Sequence, residues 1–332
     1  MIEYSSGNIL GWTRLGMRKA FGAMLQAAAA EHEDIIVLAA DVASSAGLME
    51  FAEQFPDRFY NIGIAEQNML GIAAGLAKEG NNVFVVSFAP FVSMRAYEAV
   101  RTLVGYMNLN VKIVALASGL SLGSQGNTHF CLEDISIMRT IPGMTLLSPA
   151  DCLEEAKCIE YLADHSGPAF LRLTGIDGTP MVYRDGCDFK AGVPNILREG
   201  ADVAVLGTGS VVSECLRLAR SFKNEGLTCS VVDVHTLKPF DSEIVRHLAR
   251  THRLLLSVEE HFISGGLGSL TAEALSTMGH HAPLVKAGIE DAFPCPGDYS
   301  FMLKECGLTA AGLKEKIMAF FPPQSEAEEG RQ

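Results

Sequence analysis

The chain has 332 residues, 48% hydrophobic and 20% charged, with a formal net charge of −13. That length suits about two domains with cores of their own, while the acidity and the lack of any basic stretch interleaved with aromatics exclude a nucleic-acid partner. No apolar run reaches membrane-spanning length, and the eight cysteines form neither a C-x-x-C pair nor a zinc-spaced cluster, so no membrane partner and no metal site of its own is expected. The cysteines read as core thiols of a reducing compartment. Met1 to Asn8 carries no basic region followed by an apolar stretch, so a cytoplasmic location is expected.

Trp12 to Glu31 has the apolar spacing of an amphipathic helix. Asp34 to Ala40 is a short apolar run ending at Asp41, a buried strand. Glu66 to Lys78 is rich in Ala, Gly and Leu and reads as a helix, Asn82 to Phe88 as a strand, and Met94 to Met107 as a helix. Val111 to Ala117 is a strand that opens into a Gly/Ser loop, Ser118 to His129. Thr145 to Ser148, a helix from near Asp151 and a strand at Ala169 to Leu173 follow. Pro180 to Pro194 is loop-like and marks a boundary, after which the alternation restarts. Strands are expected at Asp202 to Leu206, Thr228 to Val234 and Arg253 to Val258. Helices are expected from the Gly207-Thr208-Gly209-Ser210 turn to Lys223, at Asp241 to Arg250 and at Gly266 to Met278. Such alternation predicts two α/β domains, each a mostly parallel sheet between helical layers, at 1–185 and 195–322, with a mobile tail at 323–332.

Four segments could carry chemistry. The Gly207-Thr208-Gly209-Ser210 turn suggests a dinucleotide site, but its third glycine is Val212, so a tight strand-to-helix turn is the better reading. Glu66 opens a helix, where a carboxylate usually complements the dipole. Ile62, Ile64, Met69 and Ile72 around it leave few polar neighbours, a setting in which an acid can share a proton with a ligand nitrogen. Phe88 and Phe91 lie at a strand-to-helix junction, and Gly123 to His129 follows another strand. All three fall at carboxyl ends of strands, where open α/β sheets bind ligands.

Taken in order, D-V-A-S-S at 41–45, I-G-I-A-E-Q-N-M at 62–69, S-F-A-P-F at 87–91 and G-S-Q-G-N-T-H at 123–129 resemble the C-terminal half of transketolase. The chain is also similar to 1-deoxyxylulose-5-phosphate synthase and, more distantly, to the beta subunit of oxo-acid dehydrogenases. The resemblance implies a pyrimidine-binding domain, a transketolase C-terminal domain and thiamine diphosphate as cofactor. It implies that Glu66 bonds the aminopyrimidine nitrogen, that Phe88, Phe91, Met94, Ile64 and Asp41 surround the cofactor, and that His129 acts as a catalytic group facing the substrate. Gln125, Arg18 and Ser45 would bind that sugar substrate.

No G-D-G motif with downstream asparagines is present, so the diphosphate and its Mg²⁺ are expected on a separate N-terminal subunit, in an α₂β₂ assembly that also pairs two copies of this chain. The family's phosphate-binding arginine is replaced by Gly175, a histidine by Ala117 and a loop aspartate by Gln125, which implies a substrate other than the standard pentose phosphate pair. Glu259-Glu260-His261 is read as structural. A non-catalytic assembly subunit is the alternative from another class, and the joint presence of Glu66, Phe88, Phe91 and His129 argues against it.

Overall fold

The computed structural model describes residues 2–184, 186–222 and 226–321. The tail expected at 323–332, Asp185 and Lys223 lie outside the described residues. The first half contains α1 (Ser6–Leu15), α2 (Met17–Ala29), β1 (Ile35–Ala39), α3 (Met49–Gln54), β2 (Phe59–Asn61), α4 (Glu66–Lys78) and β3 (Asn82–Phe88). A helical stretch follows in which α5 (Tyr97–Ala99) is flanked by π-helical turns, Phe91–Arg95 and Val100–Tyr106. Next come β4 (Val111–Leu116), α6 (Asp134–Met138), β5 (Thr145–Leu147), α7 (Cys152–Asp164) and β6 (Ala169–Arg172). The single helix expected at 12–31 is two, broken at Gly16. There φ is 71°, and a Cβ would stand 2.8 Å from the Ile176 carbonyl oxygen.

The second half contains β7 (Asn195–Arg198), β8 (Val203–Gly207), α8 (Val212–Ser221), β9 (Cys229–Asp233), β10 (Thr236–Lys238), α9 (Ser242–Thr251) and β11 (Leu254–Phe262). It ends with α10 (Leu267–Leu275), β12 (Leu284–Ile289), α11 (Tyr299–Glu305) and α12 (Ala310–Met318). The larger sheet runs β10-β5-β6-β4-β3-β1-β2 and the smaller β12-β11-β8-β9-β7. Every neighbouring pair is parallel except β10 with β5 and β7 with β9. β10 belongs by sequence to the second half but closes the sheet of the first, so the two halves share a sheet that hydropathy alone does not reveal.

Period-two patterning places alternate strand residues in separate cores. Leu38, Val85 and Ile113 face one helical layer, and Val37, Val86 and Val114 face the other. The first of these cores continues through Leu206, Val232 and Leu255 of the second sheet, so apolar packing joins the halves directly. Five cysteines are buried thiols, Cys187 and Cys306 are half-buried, and Cys295 is exposed. Among the described residues, no helix is long and apolar enough to cross a membrane.

The connection at 178–194 is pinned at Tyr183. Asp151 Oδ2 accepts from the amides of Val182 and Tyr183, at 2.7 and 2.8 Å. The Tyr183 hydroxyl lies 2.8 Å from Asp233 Oδ2 and 3.2 Å from Glu154 Oε1. Burial, then repulsion by Asp233, pushes Glu154 well above the carboxylate range; burial likewise raises Asp233. A carboxyl raised by folding holds its proton longer in the folded chain, so its stability contribution is full below pH ~4 and is lost as pH rises through the raised value. Asp233→Asn removes one of these groups. Its melting temperature relative to wild type should therefore climb between pH 5 and pH 8, by about 3 °C for each kcal/mol relieved. Parallel melting curves for the two proteins across that range would show this reading to be wrong.

Candidate functional site

In the strand order β4-β3-β1-β2, the chain reverses direction across the sheet between β1 and β3, and that switch point opens a crevice beyond the strand ends. Asp41, just after β1, has φ 59° and an exposed side chain. Asn61 ties it to the end of β2. The Asn61 Oδ1 accepts from the amides of Asp41 and Gly63, both at 3.1 Å, and its Nδ2 donates to Asp41 Oδ1 at 3.2 Å. This bracket fixes the loop that delivers Glu66 to the first position of α4.

Glu66 is 2% exposed, yet its surroundings are not apolar. Ser87 donates its hydroxyl to Oε1 at 3.1 Å, and Arg95 donates Nη1 to Oε2 at 2.9 Å. The expectation of few polar neighbours is corrected: of the four apolar residues named from sequence only Met69 is fully buried, while Ile64 and Ile72 face outward and the carboxylate turns toward β3. The physical reason is that a buried carboxylate needs hydrogen-bond donors, and the end of β3 with the π-helical turn after it supplies them. The Arg95 guanidinium also lies 4.2 Å above the Phe91 ring centroid. His129 meets the same ring edge-on, with centroids 5.5 Å apart, and its Nδ1 is 2.9 Å from the Thr128 hydroxyl. Phe88 is half-buried against the opposite core, and Met94 and Ile64 are exposed at the rim. Glu66, Phe91, His129 and Arg95 thus form one contiguous cluster. Arg95 has no signature in spacing. The signal that finds it is the need of a buried glutamate for a cation on the same sheet edge.

A cavity of 310 Å³ lies at the ends of β4 and β6. Arg18, Ala117, Ser121, Leu122 and Gly175 line it. Two positions that depart from the family pattern, 117 and 175, therefore share a wall with Arg18. Ala117 has φ 54°, a conformation costly for a residue with a Cβ by about 1 kcal/mol. Gly175 has φ 79°, and a Cβ there would meet Thr179 Oγ1 at 2.6 Å, so this turn strains any side chain placed on it. Asp177 at the cavity wall is paired with Lys19 at 2.5 Å. Ser45 is half-buried and Gln125 exposed, and neither is a lining residue of this cavity.

The other motifs are structural. The Gly209 and Ser210 amides of the glycine turn donate to the Ser148 carbonyl and Thr174 Oγ1, leaving neither for a phosphate. Glu259 accepts from the amides of Leu267 and Gly268 and fills the α10 N terminus itself. Glu260 accepts from the Leu120 amide and from Ser210 and Tyr299, and the His261 Nε2 accepts from the Ser136 amide.

As a donor set, a buried carboxylate with one hydroxyl and one cation, beside aromatic rings and a thioether, suits a flat heteroaromatic ring bearing a basic nitrogen. No group of three His, Cys, Asp or Glu able to hold a metal exists among the described residues. The carboxylate, the hydroxyl and the rings fit the pyrimidine ring of the cofactor that the resemblance implies.

Residues 13–177 match the family model for the transketolase pyrimidine-binding domain, and residues 192–313 that for the transketolase C-terminal domain. A protein of Methanocaldococcus jannaschii described as a transketolase C-terminal section is 39% identical, over 91% of this chain and 95% of its own length. The 6-deoxy-6-sulfo-D-fructose transketolase subunit of a Clostridium species is 36% identical, over 89% of this chain and 91% of its own. A solved split-gene transketolase, described as an inactive β4 tetramer, superimposes with a TM-score of 0.82 at 36% identity, covering 92% of this chain and 97% of that one.

Proposed function

The chain belongs to the transketolase family, and from that premise we propose that it is the C-terminal subunit of a split, thiamine-diphosphate-dependent transketolase. It would move a two-carbon ketol unit from a ketose to an aldose. The observation that carries this reading is Glu66, nine-tenths and more buried at the switch point, with Phe91 and His129 gathered beside it. Domain limits of 1–185 for pyrimidine binding and 195–322 for the C-terminal domain belong to the same proposal.

When bound, thiamine diphosphate supplies the nucleophilic carbon and the electron sink for carbon–carbon cleavage. Glu66 then holds a proton against the ring nitrogen. Phe91 orients the ring, with Phe88 packed behind it at the end of β3 and Met94, Ile64 and Asp41 at the rim. His129 moves a proton at a substrate oxygen, and Arg18, Gln125 and Ser45 bind the sugar. Mg²⁺ and the diphosphate are assigned to a separate N-terminal subunit, within an α₂β₂ assembly in the cytoplasm. Relatives that match this chain over nine-tenths of their own length and are described as a section or a subunit support that division.

The substrate is proposed to differ from the standard pentose phosphate pair. Gly175 carries no side chain and Asp177 is paired with Lys19, which leaves Arg18 as the cation among the cavity's lining residues. Glycine at 175 removes a bidentate phosphate ligand, so the proposed substrate has an unphosphorylated end or one carrying another anionic group such as a sulfonate. The test is co-expression with the partner subunit, followed by a screen of ketose donors with and without thiamine diphosphate. Turnover should require both the partner and the cofactor. Transfer from xylulose 5-phosphate to ribose 5-phosphate should fall at least about tenfold below the best pair, a difference of about 1.4 kcal/mol in transition-state binding. Failure of every donor with both components present rejects the function, and ordinary rates with the pentose phosphates reject the substrate class.

A further inference from the structure

Arg95 makes two contacts with the groups assigned to the pyrimidine ring. Its Nη1 bonds Glu66 Oε2 at 2.9 Å, and its guanidinium carbon sits 4.2 Å from the centroid of Phe91. A guanidinium is flat, cationic and able to donate along its edge. It therefore satisfies the same two demands as a ring that stacks on Phe91 and hydrogen-bonds Glu66. A ring that took the Glu66 oxygen and the Phe91 face now held by Arg95 would exclude it.

The setting makes one of the occupants easy to remove. Glu66 is 2% exposed and fixed at its other oxygen by Ser87, whereas the Arg95 side chain is 46% exposed. Swinging Arg95 into water costs a half-exposed ion pair and one ring contact. It leaves Glu66 buried without its counter-charge, a state relieved when a ring nitrogen comes to share a proton with it. Arg95 stands at the end of the π-helical turn Phe91–Arg95, the one that also carries Phe91 and Met94, so its backbone need not move for the side chain to leave.

We propose that Arg95 is a displaceable placeholder: it occupies the pyrimidine half-site in the free chain, satisfies Glu66 there, and leaves when the ring enters. It is a positioning residue acting through Glu66 and Phe91, and it lowers apparent cofactor affinity by the fraction of time it fills the site. This inference rests on the cofactor reading of Glu66 and Phe91.

The test is equilibrium dialysis of thiamine diphosphate, with Mg²⁺, against the complex of this chain with its partner subunit. Wild type is compared with Arg95→Gln, Arg95→Lys and Phe91→Ala, each checked for an unchanged melting transition. Arg95→Gln should tighten binding between about twofold and tenfold, the range that one such ion pair and ring contact represent. Arg95→Lys, which keeps the charge but cannot stack flat, should fall between wild type and Arg95→Gln. Phe91→Ala should weaken binding. If Phe91→Ala weakens binding while Arg95→Gln weakens it too or leaves it unchanged, the placeholder is rejected and the cofactor reading stands. If Phe91→Ala has no effect, the cofactor reading fails and the placeholder fails with it.

Discussion

Glu66→Gln lowers turnover of the assembled enzyme at least about a thousandfold, the middle of the range lost with a general acid–base group. The reason lies in what the amide cannot do. Glutamine has nearly the shape of glutamate and still offers an oxygen to Ser87 or to Arg95, but it neither carries nor releases a proton. The fold should survive, because Arg95 is half exposed and can turn to water, so the stability change should stay within about 1 kcal/mol. Steady-state rates and a melting curve on the same preparation separate the two effects. Wild-type-like rates in the glutamine variant would falsify the role given to Glu66, whatever its effect on stability.

Arg172→Met should destabilise the chain by about 3–5 kcal/mol, the cost of stranding a buried charge. Arg172 and Asp134 are both fully buried and meet at 2.8 Å. Arg172 also donates Nη2 to the Glu260 carbonyl at 2.5 Å, so one side chain ties β6 and α6 of the first half to β11 of the second. Methionine fills the volume but leaves the Asp134 carboxylate without its cation. For a chain of this size the fall in melting temperature is about 10 °C. The double variant Arg172→Met with Asp134→Leu should recover most of the loss, since removing both charges avoids the desolvation cost. Thermal melts of both proteins decide the matter: a single variant within about 1 kcal/mol of wild type, or a double variant no better than the single, would refute the clasp.

That clasp bears on the site as well as on stability. Arg172 is three residues before Gly175, and the Ser210 amide of the second half bonds Thr174 between them. The cavity beside Gly175 is therefore braced by contacts that reach across both halves. Of the Glu259-Glu260-His261 segment, which resembles acid–base machinery on paper, Glu260 and His261 spend polar atoms on the same junction, accepting from the Leu120 and Ser136 amides, while Glu259 caps α10 within the second half.

Much of the frame was legible from residue order. The helix at Glu66–Lys78 and the strand at Asn82–Phe88 are sharply bounded, because each carries a strong periodic signal between clear breakers. β10 was not legible, since three residues have too little periodicity and their partner, β5, lies ninety positions away. Gly16 was not read as a helix break, because the contact that requires it is with Ile176. Arg95 was likewise invisible, as nothing between 67 and 94 hints that a side chain there returns to Glu66.

By itself the order of residues determined the alternation of strands and helices, the family, and the placing of Glu66, Phe88, Phe91 and His129 at strand ends. Those depend on local periodicity and short motifs, which a linear chain displays in full. Only the tertiary structure decided what faces what: that Arg95 fills the space beside Glu66 and Phe91, that Gly175 and Ala117 share a cavity wall with Arg18, and that a strand of the second half completes the first sheet. Each of these is a contact between distant segments, and burial and packing select such contacts only once the whole chain is folded.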